Sequence, residues 1–277
     1  MIVYCITLQH YTIYELINSN LEMIDDIIEI SKQAGSLIRD GFGKSLHIEY
    51  KTNDINLVTD IDKASEKMII DFIKKKYPSH SILAEEGGGI TKDSEYIWVV
   101  DPLDGTTNFA HGLPIFSVSI GLQKNNEIIA GVVYDVMRNI VFSAELVGGA
   151  FADSEQIKVS STDSLKQSLL VTGFPYNVAE NPEGAFEIFS ALTKNARGIR
   201  RLGSAAIDFC YLASGVFDGF WEVHLQPWDI CAGKLIAEEA GGLVTDFDGN
   251  TIDIYSKKIL SSNRKIHNQV INVIRNS

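Results

Sequence analysis

Residues 98–109 read WVVDPLDGTTNF, and this stretch decides how the fold is interpreted. Its apolar start predicts a buried β-strand that leads into Asp101, and a second carboxylate, Asp104, follows three residues later. Pro102 fixes its own φ angle and restricts the residue before it, so both carboxylates and the carbonyl oxygen of Leu103 can point at one place. Hard cations prefer such oxygen ligands. The stretch therefore predicts a metal site at the end of a strand.

The residues that follow Asp104 suit an anion. The N–H groups of Gly105 and Thr106 can open a turn or a helix, and the unpaired donors at such an end bind anions. A phosphate group would then lie beside the metal. The same residues also form ordinary surface turns, because Asp, Pro and Gly each favour turns for local reasons. Taken alone, the stretch leaves both interpretations open.

Two other acidic segments favour the metal site. Glu85 follows a short apolar run, and Asp229 stands in the sequence Gln-Pro-Trp-Asp, where a helix is predicted to begin. Each acid again lies at the end of an element. An aspartate at a helix start is also a common N-terminal cap, so capping is the simpler explanation for Asp229 taken singly.

Composition limits the class of protein. The chain has 277 residues, 45% of them hydrophobic, which is enough for a substantial core in one large domain or two packed lobes. Its formal net charge of −12 argues against nucleic acid as a partner, because that affinity comes from Lys and Arg that neutralise phosphates. An acidic protein that handles an anionic substrate must screen its own carboxylates, and divalent cations commonly do so.

The cysteines and the N-terminus bear on cellular location. Cys5, Cys210 and Cys231 are odd in number and widely spaced, which predicts neither disulfides nor a zinc site and favours a reducing cytosol. The N-terminus lacks the basic region of a signal peptide, and no apolar run is long enough for a membrane span. We therefore expect a cytoplasmic protein without a membrane partner.

Hydrophobic periodicity divides the chain into an extension and two halves. Residues 1–22 follow no strong period, and an amphipathic helix opens at Met23. The polar, glycine-bearing residues 40–56 predict an exposed hairpin or loop, a candidate flap. We predict an N-terminal α+β lobe over 23–155 that carries most metal ligands. A C-terminal α/β lobe over 156–277 would carry Asp229 and the substrate contacts.

The two halves differ in their pattern of elements. After a helix over 62–77, the first half has strands predicted at 97–100, 116–122, 128–134 and 140–144, which indicate an antiparallel meander. The second half alternates, with strands predicted at 169–172, 216–222 and 243–246 and helices predicted after Pro182, at 205–214 and at 229–240. Together they predict an α/β fold, an α+β sandwich in which helix layers and sheet layers alternate.

Taken together, the motifs resemble the inositol monophosphatase family, part of a larger superfamily of lithium-sensitive, magnesium-dependent phosphatases. The resemblance covers nearly all of residues 23–277. It is carried by seven segments: NLVTDID at 56–62, EE at 85–86, DPLDGTTNF at 101–109, GGAF at 148–151, RLGSAA at 201–206, WD at 228–229 and AEEAGG at 237–242.

The resemblance implies how the acids divide between magnesium ions. Two ions would be held by five residues, with Asp101 shared: Glu85, Asp101 and the carbonyl oxygen of Leu103 for the first, and Asp101, Asp104 and Asp229 for the second. A third, looser ion would lie near Glu85. Several relatives carry Asp where this chain has Asn56, so the resemblance implies two or three Mg²⁺ per subunit.

The resemblance also assigns roles around the metals. Thr106, together with Glu85, would position the attacking water and help to deprotonate it. The implied substrate contacts are Asp104, Gly105, Thr106, Ala205, Glu222 and Asp229. Glu222 and Ala205 match positions that contact polyol hydroxyls. From the residues alone, a solvated acid at a strand end is the alternative for Glu222, which is the better supported contact of the two. Ala205 could equally be a small residue needed for packing.

The implied activity is magnesium-dependent hydrolysis of the phosphate monoester of a small polyol, foremost inositol 1-phosphate, in a lithium-sensitive homodimer. Rival substrates are fructose 1,6-bisphosphate, histidinol phosphate and adenosine 3',5'-bisphosphate. The sequence Thr-Asn-Phe at 107–109 favours inositol phosphate, because the nucleotide-directed branch commonly has Lys-Glu-Phe there. A protein that regulates the transcription or ribosome machinery by binding is the non-enzyme alternative.

Two further sequence features do not indicate a binding site. The sequence Gly-Lys-Ser at 43–45 is similar to the end of a P-loop, but Ile38 stands where the loop needs a glycine, and a helix precedes it. His80, His111 and His224 lack the paired spacing of metal ligands. Neither a nucleoside triphosphate site nor a histidine metal site is predicted.

Overall fold

The computed structural model describes residues 23–44, 48–50 and 57–277. The predicted extension over 1–22 lies outside these ranges, as do Asn56 and most of the candidate flap. None of the helices in the described ranges is long and apolar enough to cross a membrane.

The first half is helical at its start and rich in strands afterwards. Its elements are α1 (23–41), β1 (Ile48–Tyr50), β2 (Leu57–Thr59), α2 (Asp60–Lys76), β3 (Ser81–Ala84), β4 (Tyr96–Asp104), α3 (Thr106–Ala110), β5 (Ser117–Lys124), β6 (Glu127–Asp135), β7 (Ile140–Glu145), β8 (Gly149–Ala152) and β9 (Glu155–Gln156).

The second half alternates helices and strands, as predicted. Its elements are β10 (Leu169–Thr172), α4 (Ala185–Asn195), β11 (Gly198–Arg200), α5 (Ala205–Ala213), β12 (Gly219–Val223), α6 (Pro227–Glu239), β13 (Leu243–Thr245), β14 (Lys258–Ser262) and α7 (His267–Arg275), with short 3-10 turns at Leu165–Gln167, Val178–Glu180 and Pro182–Gly184.

The larger sheet has seven strands in the order β3-β4-β5-β6-β7-β8-β9. The antiparallel meander predicted for β4 to β7 is confirmed, and β3 joins its edge parallel to β4. Strand β4 was predicted to end at Val100, but it continues to Asp104. It pairs with β5 at Asp101 and again at Asp104, with a register shift between them. The shift falls at Pro102, which has no N–H to donate to the ladder.

The smaller sheet has five strands in the order β11-β10-β12-β14-β13. Strand β10 runs parallel to β11 and β12, whereas β14 is antiparallel to both of its neighbours. Strand β12 was predicted to begin at Val216, but it begins at Gly219. The N–H of Val216 instead donates to the Tyr211 carbonyl at 2.8 Å, because Gly215, with φ of +74°, turns the chain back at the end of α5.

Five layers result, and the predicted alternation of helices and sheets is confirmed. One face of the seven-stranded sheet packs on α1 and α2, and its other face packs on α5 and α6. Helices α5 and α6 also cover one face of the five-stranded sheet, whose far face packs on α4 and α7. The middle layer, α5 and α6, therefore joins the two halves of the chain in one core.

Close packing brings the start of α6 to the C-terminal end of β4. A Cβ at Gly121 of β5 would lie 2.3 Å from Sγ of Cys231, and a Cβ at Gly131 of β6 would lie 2.9 Å from Cα of Ala232. Only glycine permits this approach of helix and sheet. Ser119 of β5 lies 3.3 Å from the Trp228 carbonyl and donates to it, which fixes the first turn of α6 over the sheet.

Candidate metal and phosphate site

Three carboxylates meet where β4 ends and α6 begins. Asp101, Asp104 and Asp229 each offer an oxygen, and these oxygens lie within 4.8 Å of one another. Asp101 and Asp104 are buried, and Asp229 is half-buried. Since 125 residues separate Asp104 from Asp229 in the sequence, the fold and not the local motif brings the third acid into the cluster.

Each of these carboxylates is held by backbone N–H donors. Asp101 accepts from the N–H of Leu103 at 3.0 Å. Asp104 accepts from the N–H of Ala206 at 2.8 Å and from the Ser204 hydroxyl at 2.6 Å, both at the N-terminus of α5. These bonds fix the direction of the carboxylates before any ligand binds, as a preorganised metal site requires.

Asp229 belongs to the acidic cluster and also takes part in the capping of α6, where Gln226 and not Asp229 is the N-cap. Helix α6 begins at Pro227, not at Asp229 as predicted, so Asp229 lies in the first turn. Its Oδ2 accepts from the N–H of Gln226 at 2.7 Å, which is one half of a capping box. The capping bond orients the side chain that also belongs to the acidic cluster.

Glu85 directly follows β3, the strand that pairs with β4. Its N–H donates to the Val100 carbonyl at 3.2 Å. One cavity of about 270 Å³ brings together every metal ligand predicted from the sequence: Glu85, Asp101, Leu103, Asp104 and Asp229. The donor set is rich in carboxylates and includes a main-chain carbonyl, which fits Mg²⁺ chemistry.

Electrostatics show why this cluster calls for a cation. Burial raises the pKa of Asp101 well above its ordinary value, and the nearby charges of Glu85 and Asp104 raise it further. Burial raises the pKa of Asp104 to about 6 in spite of the hydrogen bonds from Ser204 and Ala206. Burial, and then Asp104, raise the pKa of Asp229. A divalent cation would relieve both the desolvation and the repulsion.

The metal-free protein should lose thermal stability as pH rises. Burial raises the pKa of Asp104 from 3.8 to about 6 and that of Glu222 from 4.5 to about 8. At a pH between the unfolded and the folded pKa of either group, the folded chain therefore binds more protons than the unfolded chain. Stability then falls with rising pH. We expect the melting temperature in chelator to drop by several degrees between pH 5.5 and pH 8, as measured by calorimetry. Saturating Mg²⁺ should flatten this slope, and a melting temperature that rises with pH in chelator would contradict the expectation.

Thr106 lines the same cavity as the acidic cluster, and it is bonded to a carboxylate that has no role predicted from the sequence. Its hydroxyl donates to Oδ1 of Asp62 at 2.8 Å. Asp62 is fully buried, and it also accepts from the N–H of Thr59 at 2.9 Å, which completes a capping box at the start of α2. The spacing Thr-x-x-Asp at 59–62 marks such a box in the sequence, but only the fold places it against Thr106.

The predicted turn after Asp104 is present. Gly105 has φ of +98° and serves as the N-cap of α3, which begins at Thr106. A Cβ at Gly105 would lie 3.0 Å from the Ile115 carbonyl oxygen, in a backbone conformation that L residues rarely adopt. Glycine is therefore required at this position.

A larger cavity of about 590 Å³ adjoins the acidic cluster. It is lined by all the substrate contacts predicted from the sequence: Asp104, Gly105, Thr106, Ala205, Glu222 and Asp229. Glu222 lies in β12 and is buried, and burial raises its pKa to about 8 although Arg201 opposes this shift. A Cβ at Gly173 would lie 2.3 Å from both Glu222 carboxylate oxygens, so glycine is needed for the carboxylate to lie there.

Two cavity residues have no role predicted from the sequence. Arg201 and His224 both line the larger cavity. Of the other histidines, His80 packs in an aromatic cluster away from both cavities. It stacks on Tyr77 and Tyr96, with ring centroids 5.0 and 4.5 Å away, and its Nδ1 accepts from Nε1 of Trp98 at 3.0 Å.

Residues 20–277 match the sequence profile of the inositol monophosphatase family. The inositol-1-monophosphatase of Synechocystis sp. is 43% identical over 238 residues, which cover 86% of this chain and 83% of the relative. The Nus factor SuhB of Haemophilus influenzae is 42% identical over 255 residues, which cover 91% of this chain and 96% of the relative. The solved structure of an IMPase from Thermotoga maritima aligns with a TM-score of 0.85 at 38% identity, covering 92% of this chain and 97% of the other.

Proposed function

This chain belongs to the inositol monophosphatase family, as its motifs predicted, and we propose on that premise that it hydrolyses inositol 1-phosphate to inositol and phosphate. That it is a phosphatase follows from the family and its relatives. One observation carries the proposal for this chain: the carboxylates of Asp101, Asp104 and Asp229 converge at a cavity that Thr106 also lines and that is large enough for a polyol.

The acids would hold the metal ions. We assign Glu85, Asp101, Leu103 through its carbonyl oxygen, Asp104 and Asp229 to two Mg²⁺, with a third ion nearer to Glu85. When bound, Mg²⁺ lowers the pKa of water and neutralises charge on the phosphoryl oxygens and the leaving group. The hydrogen bonds to Asp101, Asp104 and Asp229 keep these side chains oriented, so that little reorganisation accompanies metal binding.

Thr106 and Asp62 would prepare the attacking water. Because the Thr106 hydroxyl donates its hydrogen to Asp62, its oxygen is left to accept a hydrogen bond from water and so to orient a water lone pair toward phosphorus. As the water attacks, its proton passes to Thr106 while the Thr106 proton passes to Asp62. Attack opposite the ester oxygen, without a covalent phosphoenzyme, inverts configuration at phosphorus.

The larger cavity would bind the polyol. Because burial raises the pKa of Glu222 to about 8, its carboxyl group is protonated at neutral pH and can both donate and accept hydrogen bonds. Such a group suits a ring of neutral hydroxyls. Ala205, at the first position of α5, adds little bulk beside it. We therefore assign Glu222 and Ala205 to the hydroxyls and Gly105 and Thr106 to the phosphate.

The first test is phosphate release from a panel of substrates: inositol 1-phosphate, fructose 1,6-bisphosphate, histidinol phosphate and adenosine 3',5'-bisphosphate. Each is assayed with Mg²⁺, with chelator, and with Mg²⁺ plus lithium. We expect release that requires Mg²⁺, is fastest with inositol 1-phosphate and is inhibited by lithium. A different leading substrate would replace the substrate assignment, and absence of Mg²⁺-dependent release from all four would refute the proposal.

A second candidate function is regulatory binding, which the relative named Nus factor SuhB favours. It is separable from catalysis. If the Asp101→Asn protein lacks phosphatase activity and still rescues the phenotype of a deletion strain, the binding role is primary. Loss of rescue by a folded Asp101→Asn protein would place the function in the acidic site.

The remaining assignments rest on the family resemblance. We propose a cytoplasmic homodimer that acts on small phosphate monoesters and requires neither nucleic acid nor a membrane for catalysis. The lobes over 23–155 and 156–277 stay a proposal as well. Their shared layer, α5 and α6, indicates that they would unfold together.

A further inference from the structure

Helix α2 carries a buried polar stripe that faces the acidic cluster. Asp62, Ser65 and Glu66 are spaced by three and four residues, which places them on one face of the helix. Their exposed fractions are 0%, 0% and 5%. Polar side chains buried to this degree need hydrogen-bond partners, and the choice of partners shows what the face is built to hold. We call these three residues the α2 stripe.

Glu66 uses both carboxylate oxygens on the loop that follows Glu85. Its Oε2 accepts from the N–H of Glu86 at 2.7 Å, and its Oε1 accepts from the N–H of Gly88 at 2.9 Å. A Cβ at Gly88 would lie 2.7 Å from Oε1 of Glu66, so the loop can approach the carboxylate this closely because it carries glycine there. Between the two N–H donors, Gly87 turns the chain with φ of +91°.

The other two members of the stripe hold two further segments of the site. The Ser65 hydroxyl donates to the Pro102 carbonyl at 2.9 Å, between Asp101 and Leu103. Asp62 accepts from the Thr106 hydroxyl at 2.8 Å. One rigid helix face therefore contacts the loop after Glu85, the bulge of β4 and the start of α3.

We propose that Glu66 is a positioning residue that sets the place of Glu85 relative to Asp101. This rests on the proposed metal site. A charged carboxylate that accepts two N–H bonds holds a loop more firmly than neutral groups do. Without it, the N–H groups of Glu86 and Gly88 lose their acceptor, and the loop must be reordered whenever a metal binds. Changes to groups that support metal ligands commonly weaken metal affinity about 10- to 100-fold.

The test compares Glu66→Gln with Asp71→Asn, an exposed acid on the same helix. Both changes remove one negative charge, but only the first faces the Glu85 loop. We expect Mg²⁺ affinity, measured by calorimetry without substrate, to fall about 10-fold or more in Glu66→Gln and to stay within about 2-fold in Asp71→Asn. Hydrogen exchange should accelerate at the Glu86 and Gly88 amides and not elsewhere. Glu66→Asp, which keeps the charge but is shorter by one methylene, should weaken Mg²⁺ binding as well.

Three results would overturn the proposal. The first is unchanged Mg²⁺ affinity in Glu66→Gln with accelerated loop exchange. The second is an equal loss of affinity in Asp71→Asn, since charge alone would then explain it. The third applies if Glu66→Gln does not fold, and it is a Mg²⁺ affinity of Glu66→Asp equal to that of the unchanged protein. Because these readouts need no substrate, a failed phosphatase assay counts against the proposed function and leaves this test intact.

Discussion

Asparagine in place of Asp104 or Asp229 is expected to reduce turnover more than about 100-fold, because even the loss of a group that only supports a metal ligand costs about 10- to 100-fold. Each change removes a charged ligand from the site assigned to Mg²⁺. The fold should survive, since an asparagine oxygen can still accept the N–H bonds that reach these positions from Ala206 and Gln226. The measurement is the initial rate of phosphate release at saturating Mg²⁺.

The metal-free proteins provide the control for folding. Asp104 and Asp229 repel each other when no cation is present, and burial opposes the charge of each. Removing one of these charges should leave the melting temperature in chelator equal to that of the unchanged protein or higher. Near-normal turnover in both variants would refute the ligand assignment. Low turnover together with a collapsed melting temperature in chelator would point to a role in folding.

Asparagine in place of Asp62 is expected to lower turnover by about 10²- to 10⁴-fold, the range typical for loss of a group that takes up a proton. Asp62 is the acceptor of the Thr106 hydrogen, and neutral asparagine cannot take up the proton that leaves the water. Thr106→Ala should cause a loss of similar size, because it breaks the same path. The half-saturating concentration of Mg²⁺ should change only a few-fold, which distinguishes these variants from changes to a metal ligand.

Asp246→Asn is a matched control for Asp62→Asn. Asp246 also accepts backbone N–H bonds, from Asp248 and Asn250 at 2.8 Å each, but it lies outside both cavities of the site. The control should retain full turnover. If Asp62→Asn kept more than about a tenth of the normal rate, the proton path through Thr106 would be wrong, since such paths contribute about 10²-fold or more.

Residues close in sequence were predictable because local chemistry sets their geometry. The stretch over 98–109 shows both carboxylates, the proline between them and the glycine that turns the chain into α3. The strand end was misplaced because a strand that carries buried acids and a proline looks finished at Val100. In the sheet, β5 supplies pairing partners for both Asp101 and Asp104, so the strand continues past the bulge.

Asp62 shows the limit of this local reasoning. It ends the NLVTDID segment that carries the family resemblance, and its spacing from Thr59 matches a capping box, but neither feature places it against a distant residue. The contact with Thr106 spans 44 residues, and Ser65, on the same face of α2, is bonded to the β4 bulge. Glu66 has no role predicted from the sequence for the same reason, as its partners Glu86 and Gly88 lie 20 and 22 residues away.

Motif spacing and hydrophobic period are local properties of the chain, and they were sufficient to predict the family, the alternation of helix and sheet layers, and the acids assigned to the metals. The three-dimensional arrangement was needed to show which of these acids meet, which carboxylate Thr106 contacts and how Glu222 lies against Gly173. Those contacts depend on the packing of α2 and α6 against β4 and β5. Such packing is set by the burial of side chains from distant segments in one core, and no local spacing encodes it.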